Sequence, residues 1–240
     1  MFQLSICVSD LAKNFLEENK KFFKEKSSSF GGIFSTYERG DFAYFLFVGT
    51  LKKDELIKDI KHFIVSALIF QYKKKFIESK LVYNYPKDIK YYTLLQALIN
   101  FDRDNDESFI LSKINFETEE FYINSFFNFE CGLLKQKWAQ LVEITNQNAK
   151  FFNVDENYLD ILRFLIEGIN VRRGIAVEFL QSKFVIKSQN SIISECSTYK
   201  EVIDYLIINN PKKIVLKNLD IEFVKFVKNL FLERVTSSSC

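Results

Sequence analysis

FYINSFFNFECGLLKQKWAQLVEITNQNAKFFNVDENYLDILRFLIEGIN, residues 121–170, is the stretch on which the reading of this chain turns. Apolar residues recur in it at three- and four-residue steps. Phe126, Phe129, Leu133 or Leu134, Trp138, Leu141 and Val142 form a first set, and Tyr158, Ile161, Leu162, Leu165, Ile166 and Ile169 a second. That period gathers each set on one helix face. Lys135, Lys137, Gln140 and Glu143 fall opposite the first. Asp155 is placed to cap the second helix, where free backbone N–H groups need an acceptor, and Gly168 and Asn170 are stop signals at its far end. The short connection at Asn153-Val154-Asp155 predicts antiparallel helices packed face to face. A large apolar side chain contributes about 1.5–3 kcal/mol when buried. This hairpin is therefore the expected structural core, with Phe126, Phe129, Trp138, Leu162 and Leu165 as its anchors.

Working outward, the totals bound the class. The chain has 240 residues, 48% of them apolar, and a net charge of +2. That is the make-up of a globular protein, and near-neutral charge does not impose a polyanionic partner. The 27 phenylalanines, with abundant lysine, isoleucine and asparagine, read as the coding bias of an AT-rich genome. Cys7, Cys131, Cys196 and Cys240 stand far apart with no CxxC pair, and His62 is the single histidine. This excludes a disulfide framework and a zinc site, and fits a reducing cytoplasm. MFQLSICVSD carries no basic or sustained apolar segment, so no signal peptide is expected. The apolar run from Phe63 to Phe70 is too short to cross a bilayer.

In chain order, Phe2 to Val8 alternates as a half-buried strand. Ser9 or Asp10 caps a helix to about Lys26, with Leu11, Phe15, Phe22 and Phe23 inward, and Ser27 to Gly32 reads as a loop. Ile33–Tyr37 and Phe42–Val48 flank a Gly40 turn as a hairpin. A long helix starts at Thr50 and is broken at Tyr83-Asn84-Tyr85-Pro86. Another runs to about Phe101, followed by the acidic stretch Asp102 to Glu107. Beyond Ile169, Phe179–Ser188 and Ser191–Glu195 read as a strand pair turned at Gln189-Asn190. Thr198 and Glu201 have capping-box spacing. Asn209-Asn210-Pro211 is a turn, Lys213–Leu216 a strand and Ile221–Arg234 the last helix. The expected class is α+β, predominantly helical. A helical core over 51–172 is flanked by strand-bearing units at 1–50 and 173–240.

Few residues point to chemistry. Asp102-Arg103-Asp104-Asn105-Asp106 resembles the opening of a calcium loop, but Glu107 and Lys113 stand where an EF-hand needs glycine and a bidentate glutamate. A solvated stretch is expected there. His62 lacks a second histidine for a paired metal motif, and Cys131 and Cys196 lack a partner base. The glycines form no GxGxxG, P-loop or GxSxG pattern. No catalytic residue, cofactor or metal is therefore expected. Lys73-Lys74-Lys75, Lys135 with Lys137, Arg172-Arg173 and Lys212-Lys213 are local basic clusters. The polar face beside Trp138, with Lys135, Lys137, Arg163, Arg172 and Arg173, is the candidate interaction surface.

Phe126-Phe127-Asn128-Phe129, then Leu134-Lys135 and Lys137-Trp138, resemble the signature of the YtxC-like family of sporulation proteins from endospore-forming Firmicutes. Asp155–Tyr158 into Ile161–Ile166, and Asn210-Pro211 through Ile214–Leu216 to Phe231–Val235, are similar to later parts of that family. The resemblance covers roughly the second half of the chain and departs at Glu130 and Cys131, where the family has a basic residue and a leucine. It implies a sporulation-linked cytoplasmic protein and carries over no catalytic residue. The resulting expectation is a non-enzymatic accessory or interaction protein with protein partners and self-association open. The alternatives are a nucleic-acid-associated factor using the basic faces and an enzyme without a recognisable motif.

Overall fold

The computed structural model describes residues 2–29, 31–49, 53–83, 88–116, 119–149, 155–189 and 191–238. In order, the chain forms β1 (Phe2–Ser9), α1 (Asp10–Ser29), β2 (Ile33–Arg39), β3 (Phe42–Gly49) and α2 (Lys53–Ala67). A π-helical turn (Leu68–Lys73), α3 (Lys74–Lys80), α4 (Ile89–Asn100), α5 (Arg103–Lys113), β4 (Glu120–Tyr122), α6 (Ile123–Phe129) and α7 (Gly132–Ala149) follow. Then come α8 (Asp155–Glu167), β5 (Ile175–Leu180), β6 (Lys183–Ser188), β7 (Ser191–Cys196), α9 (Tyr199–Asn209), β8 (Ile214–Lys217), α10 (Ile221–Phe231), a short 3-10 turn and β9 (Val235–Ser238). The fold is α+β and predominantly helical, as expected. Two compact units interleave along the sequence, residues 1–79 with 104–140 and residues 80–103 with 141–240.

The first unit carries a four-stranded sheet in the order β2-β3-β1-β4, with β1 antiparallel to β3 and parallel to β4. β3 lies inside the sheet, as its two apolar faces require. The β2–β3 turn is the anticipated hairpin, with Gly40 at φ +60° supplying the backbone that primed turns need. Leu4, Ile6 and Val8 point to the same core as Phe45 and Phe47, where Phe23 of α1 meets Phe34, Phe47 and Phe63. Two readings are corrected here. Adjacent helical residues point about 100° apart at 3.6 residues per turn, so with Phe23 inward Phe22 is exposed. Ser27–Ser29 close α1 rather than forming a loop, and Ser27 is buried. β1 is also buried on both faces, because Ser5 and Cys7 lie between β3 and β4.

The second unit holds a five-stranded sheet, β7-β6-β5-β8-β9, in which β5, β8 and β9 are parallel and β5, β6 and β7 form an antiparallel meander. The single strand expected over 179–188 is two strands, because Gln181 and Ser182 adopt φ +48° and +66° and turn the chain without glycine or asparagine. Phe179, Phe184, Tyr199 and Phe223 form a continuous aromatic contact that seats α9 and α10 on one side of the sheet. Thr198 caps α9 as expected, its hydroxyl accepting from the Glu201 N–H at 3.2 Å, while the Glu201 carboxylate accepts from the Ser197 N–H at 2.7 Å.

The expected helical hairpin is altered. Its first helix begins as β4 and breaks at Glu130-Cys131 into α6 and α7. The break shifts the helical phase, so Phe126, Leu134, Trp138, Leu141 and Val142 are buried while Phe129 is 82% exposed and Leu133 is 67% exposed. Phe129 is therefore not a core anchor. Leu162 and Leu165 are buried as expected, but α8 packs on α4 and α10, and Trp138 belongs to the other unit. Face-to-face packing of the two predicted helices is not what organises the core. Asn153 and Val154, the Asp155 side chain, Thr50, the Asn84–Pro86 break and Asn190 lie outside the described residues and side chains.

Candidate functional site

Two clusters of charge stand out, one buried and one open. The buried one starts at the π-helical turn, where the wider winding turns Leu68, Ile69, Tyr72 and Lys73 all inward. Lys73 and Asp106, at the first turn of α5, are both 0% exposed, and Lys73 Nζ donates to Asp106 Oδ2 at 2.7 Å. Trp138 Nε1 donates to the same oxygen at 2.8 Å, and Lys137 Nζ donates to Oδ1 at 2.8 Å. The Lys73 ammonium also lies 5.4 Å from the centre of the Trp138 ring. Asp106 is thus a core carboxylate and not part of a solvated stretch. Lys73, read from sequence as part of a surface run, is its counterion. Isolated ions are not tolerated in an apolar interior; hydrogen-bonded pairing makes this burial affordable.

The expected interaction surface divides between the units, with Lys135 and Lys137 in the first and Arg163, Arg172 and Arg173 in the second. Lys135 donates to the Asn128 carbonyl at 2.9 Å and lies over the Phe127 ring. Lys137 is held by Asp106. Arg163 donates to the Asn229 carbonyl at 2.9 and 2.7 Å and pairs with Asp160 at 2.7 Å. These three cations make bonds within their own units.

Arg172-Arg173 has a different setting. The Arg172 N–H donates to the Asn210 carbonyl, the Lys212 N–H donates to the Arg172 carbonyl, and Arg172 bridges Pro211 in parallel register. Two basic pairs separated in sequence, Arg172-Arg173 and Lys212-Lys213, therefore run side by side into β5 and β8. Gly174 makes this approach feasible, since a Cβ there would stand 3.2 Å from Lys213 Cβ. On the sheet side opposite α9 and α10, a cleft of about 450 Å³ opens between Gly174, Ala176, Glu178, Lys187, Lys213, Val215 and Lys217. Lys187 Nζ donates to Glu178 Oε2 at 2.8 Å. That bond, reinforced by the fields of Lys187 and Lys217, holds the Glu178 carboxyl below its ordinary range. Sequence reasoning missed Glu178, Lys187 and Lys217 because the pairing of β5 with β8, which sets Lys217 beside Glu178, leaves no local signal, and the β5–β6 turn at Gln181-Ser182, which brings Lys187 to Glu178, uses residues that do not announce one.

The candidate nucleophiles are not activated. Burial pushes the Cys131 thiol up to about 12, and burial also raises Cys7 and Cys196. Since the thiolate is the reactive form, these environments disfavour attack. His62 is exposed on α2. Among the described residues no group of three His, Cys, Asp or Glu side chains could hold a metal ion, and no helix is long and apolar enough to cross a membrane. Compared with family models, with curated proteins and with solved structures, the chain matches none.

Proposed function

We propose that the protein is a non-enzymatic interaction factor that docks an anionic segment of a partner on the basic head of its five-stranded sheet. One observation carries this reading. Lys213, Lys187 and Lys217 line one cleft on one side of the sheet, where Glu178 is the single carboxylate among the described lining residues, and the backbones of Arg172-Arg173 and Lys212-Lys213 run side by side into its strands. Positive charge gathered on one face is what phosphate or carboxylate binding requires. The upward-shifted thiols and the ionised, paired Glu178 support binding rather than acid–base or nucleophilic chemistry. A setting in the cytoplasm of a spore former rests on the YtxC-like resemblance alone, and the docking chemistry is independent of it.

Retention on an immobilised polyanion tests the reading. The double charge reversal Lys213→Glu/Lys217→Glu is expected to lower the salt needed for elution, while Lys135→Glu leaves it nearly unchanged. Equal elution of the double variant and the parent would remove the cleft as the docking site.

A further inference from the structure

The ligand of the sheet head can be specified further, resting on the docking role just proposed. In register, Ala176 lies beside both Lys187 and Val215, and Glu178 lies beside both Val185 and Lys217. Lys187 is therefore level with Val215, two residues from Lys213 on one side and two from Lys217 on the other. At about 3.3 Å per residue, the three lysines advance along the strands in steps of roughly 6.6 Å, with Lys187 set about 9.6 Å to the side across β5, so they zigzag along the cleft. Cations strung out in this way suit a chain of repeated negative charges better than a single anion. Acidic peptides and nucleic-acid strands both have such chains, and Glu178 distinguishes them. An acidic peptide would bring further carboxylates against Glu178. A nucleic-acid strand brings phosphates to the lysines and also carries base N–H groups that a carboxylate accepts. Ala176 and Val215 give the cleft a small apolar floor on which a base can lie. Bases are free to splay onto such a surface in a single strand, whereas a duplex keeps them stacked.

We propose that this cleft binds single-stranded nucleic acid, with backbone phosphates on Lys213, Lys187 and Lys217 and base N–H donors on Glu178. Fluorescence anisotropy with the full chain tests it, using a labelled oligo-dC strand, an abasic strand of equal length and a polyglutamate of matched charge. Oligo-dC is expected to bind about tenfold tighter than the abasic strand, the scale of a good base-edge contact. Both strands are expected to bind more tightly than polyglutamate. The logarithm of the binding constant should fall with the logarithm of salt with a slope of about −2, from three lysines at roughly 0.7 each on a single strand. Glu178→Leu, checked for folding by circular dichroism, is expected to strengthen abasic binding while erasing the oligo-dC preference. Polyglutamate binding as tightly as oligo-dC, or equal binding of the oligo-dC and abasic strands, would overturn the nucleic-acid assignment and leave the docking role standing. Failure of all three probes to bind would overturn both.

Discussion

Asp106 has no exposed surface, so its charge depends on Lys73, Lys137 and Trp138. Removing one partner of a buried pair leaves an uncompensated charge, which costs about 3–5 kcal/mol. Asp106→Ala is expected to destabilise the protein by that amount in urea denaturation followed by Trp138 fluorescence. The double variant Lys73→Met/Asp106→Leu should recover most of the loss, because apolar replacement of both ions is often neutral; a double variant as unstable as the single one would contradict this account. Nothing local separates Asp106 from Asp104, or Lys73 from Lys74, in the sequence. The pair forms across thirty-three positions through the π-helical turn, which is why both were read as solvated. Cys131 gives a second prediction at this scale. Its folded pKa, about 12, lies above the ordinary thiol value of 9.0. The protonated form is therefore favoured by folding, and this stabilisation is present below pH 9 and lost as pH rises toward 12. The urea midpoint should fall over that window less steeply in Cys131→Ala, and native Cys131 should resist iodoacetamide at pH 8 until denaturant is added; rapid alkylation of the folded protein would refute the burial.

Elements with strong periodicity were legible in the sequence. α1, the β2–β3 hairpin, the 53–80 helical stretch, α4, α8 and α9 follow their apolar spacing, and α9 also its Thr198 cap. The parts that were not legible have specific physical causes. β4 and β9 are too short to establish a period, and β5 was merged with β6 because Gln181-Ser182 makes a turn with residues that rarely adopt positive φ. Replacing that pair with Asn-Gly, the residues primed turns favour, should relieve about 1 kcal/mol of left-handed strain per residue. A rise in thermal midpoint would report it, and a fall would show the strain to be absent. Asn210 closes α9 with φ +36° while its side chain donates to the Ile166 and Ile169 carbonyls and accepts from Arg234 at 2.7 Å. Asn210→Gly keeps the backbone freedom and loses those bonds, whereas Asn210→Ala loses both. The expected order of stability is Asn210, then Gly, then Ala, with about 1–3 kcal/mol lost for the unsatisfied buried groups; equal stability of Gly and Ala would show that the backbone conformation contributes little.

At the scale of the whole molecule, the predominance of helix in an α+β fold was readable from composition and period, while the interleaving of two units was not. Arg172-Arg173 was visible in the sequence as a candidate. Its approach to Lys212-Lys213, and the gathering of Lys187, Lys217 and Glu178 on the same sheet, depend on the parallel pairing of β5 with β8 and the antiparallel pairing of β5 with β6, which no spacing announces. Three of the basic residues read as one surface beside Trp138, namely Lys135, Lys137 and Arg163, instead bond within their own units to Asn128, Asp106 and Asn229. The central claim is that recognition occurs on the head of the five-stranded sheet. The most direct test is to record backbone amide chemical shifts of the isotope-labelled chain while titrating a single-stranded oligo-dC. Shifts concentrated at Arg172–Glu178, Lys187 and Lys212–Lys217 are the expected result. Shifts centred on Lys135 and Lys137, or no shifts at concentrations that saturate anisotropy, would contradict it.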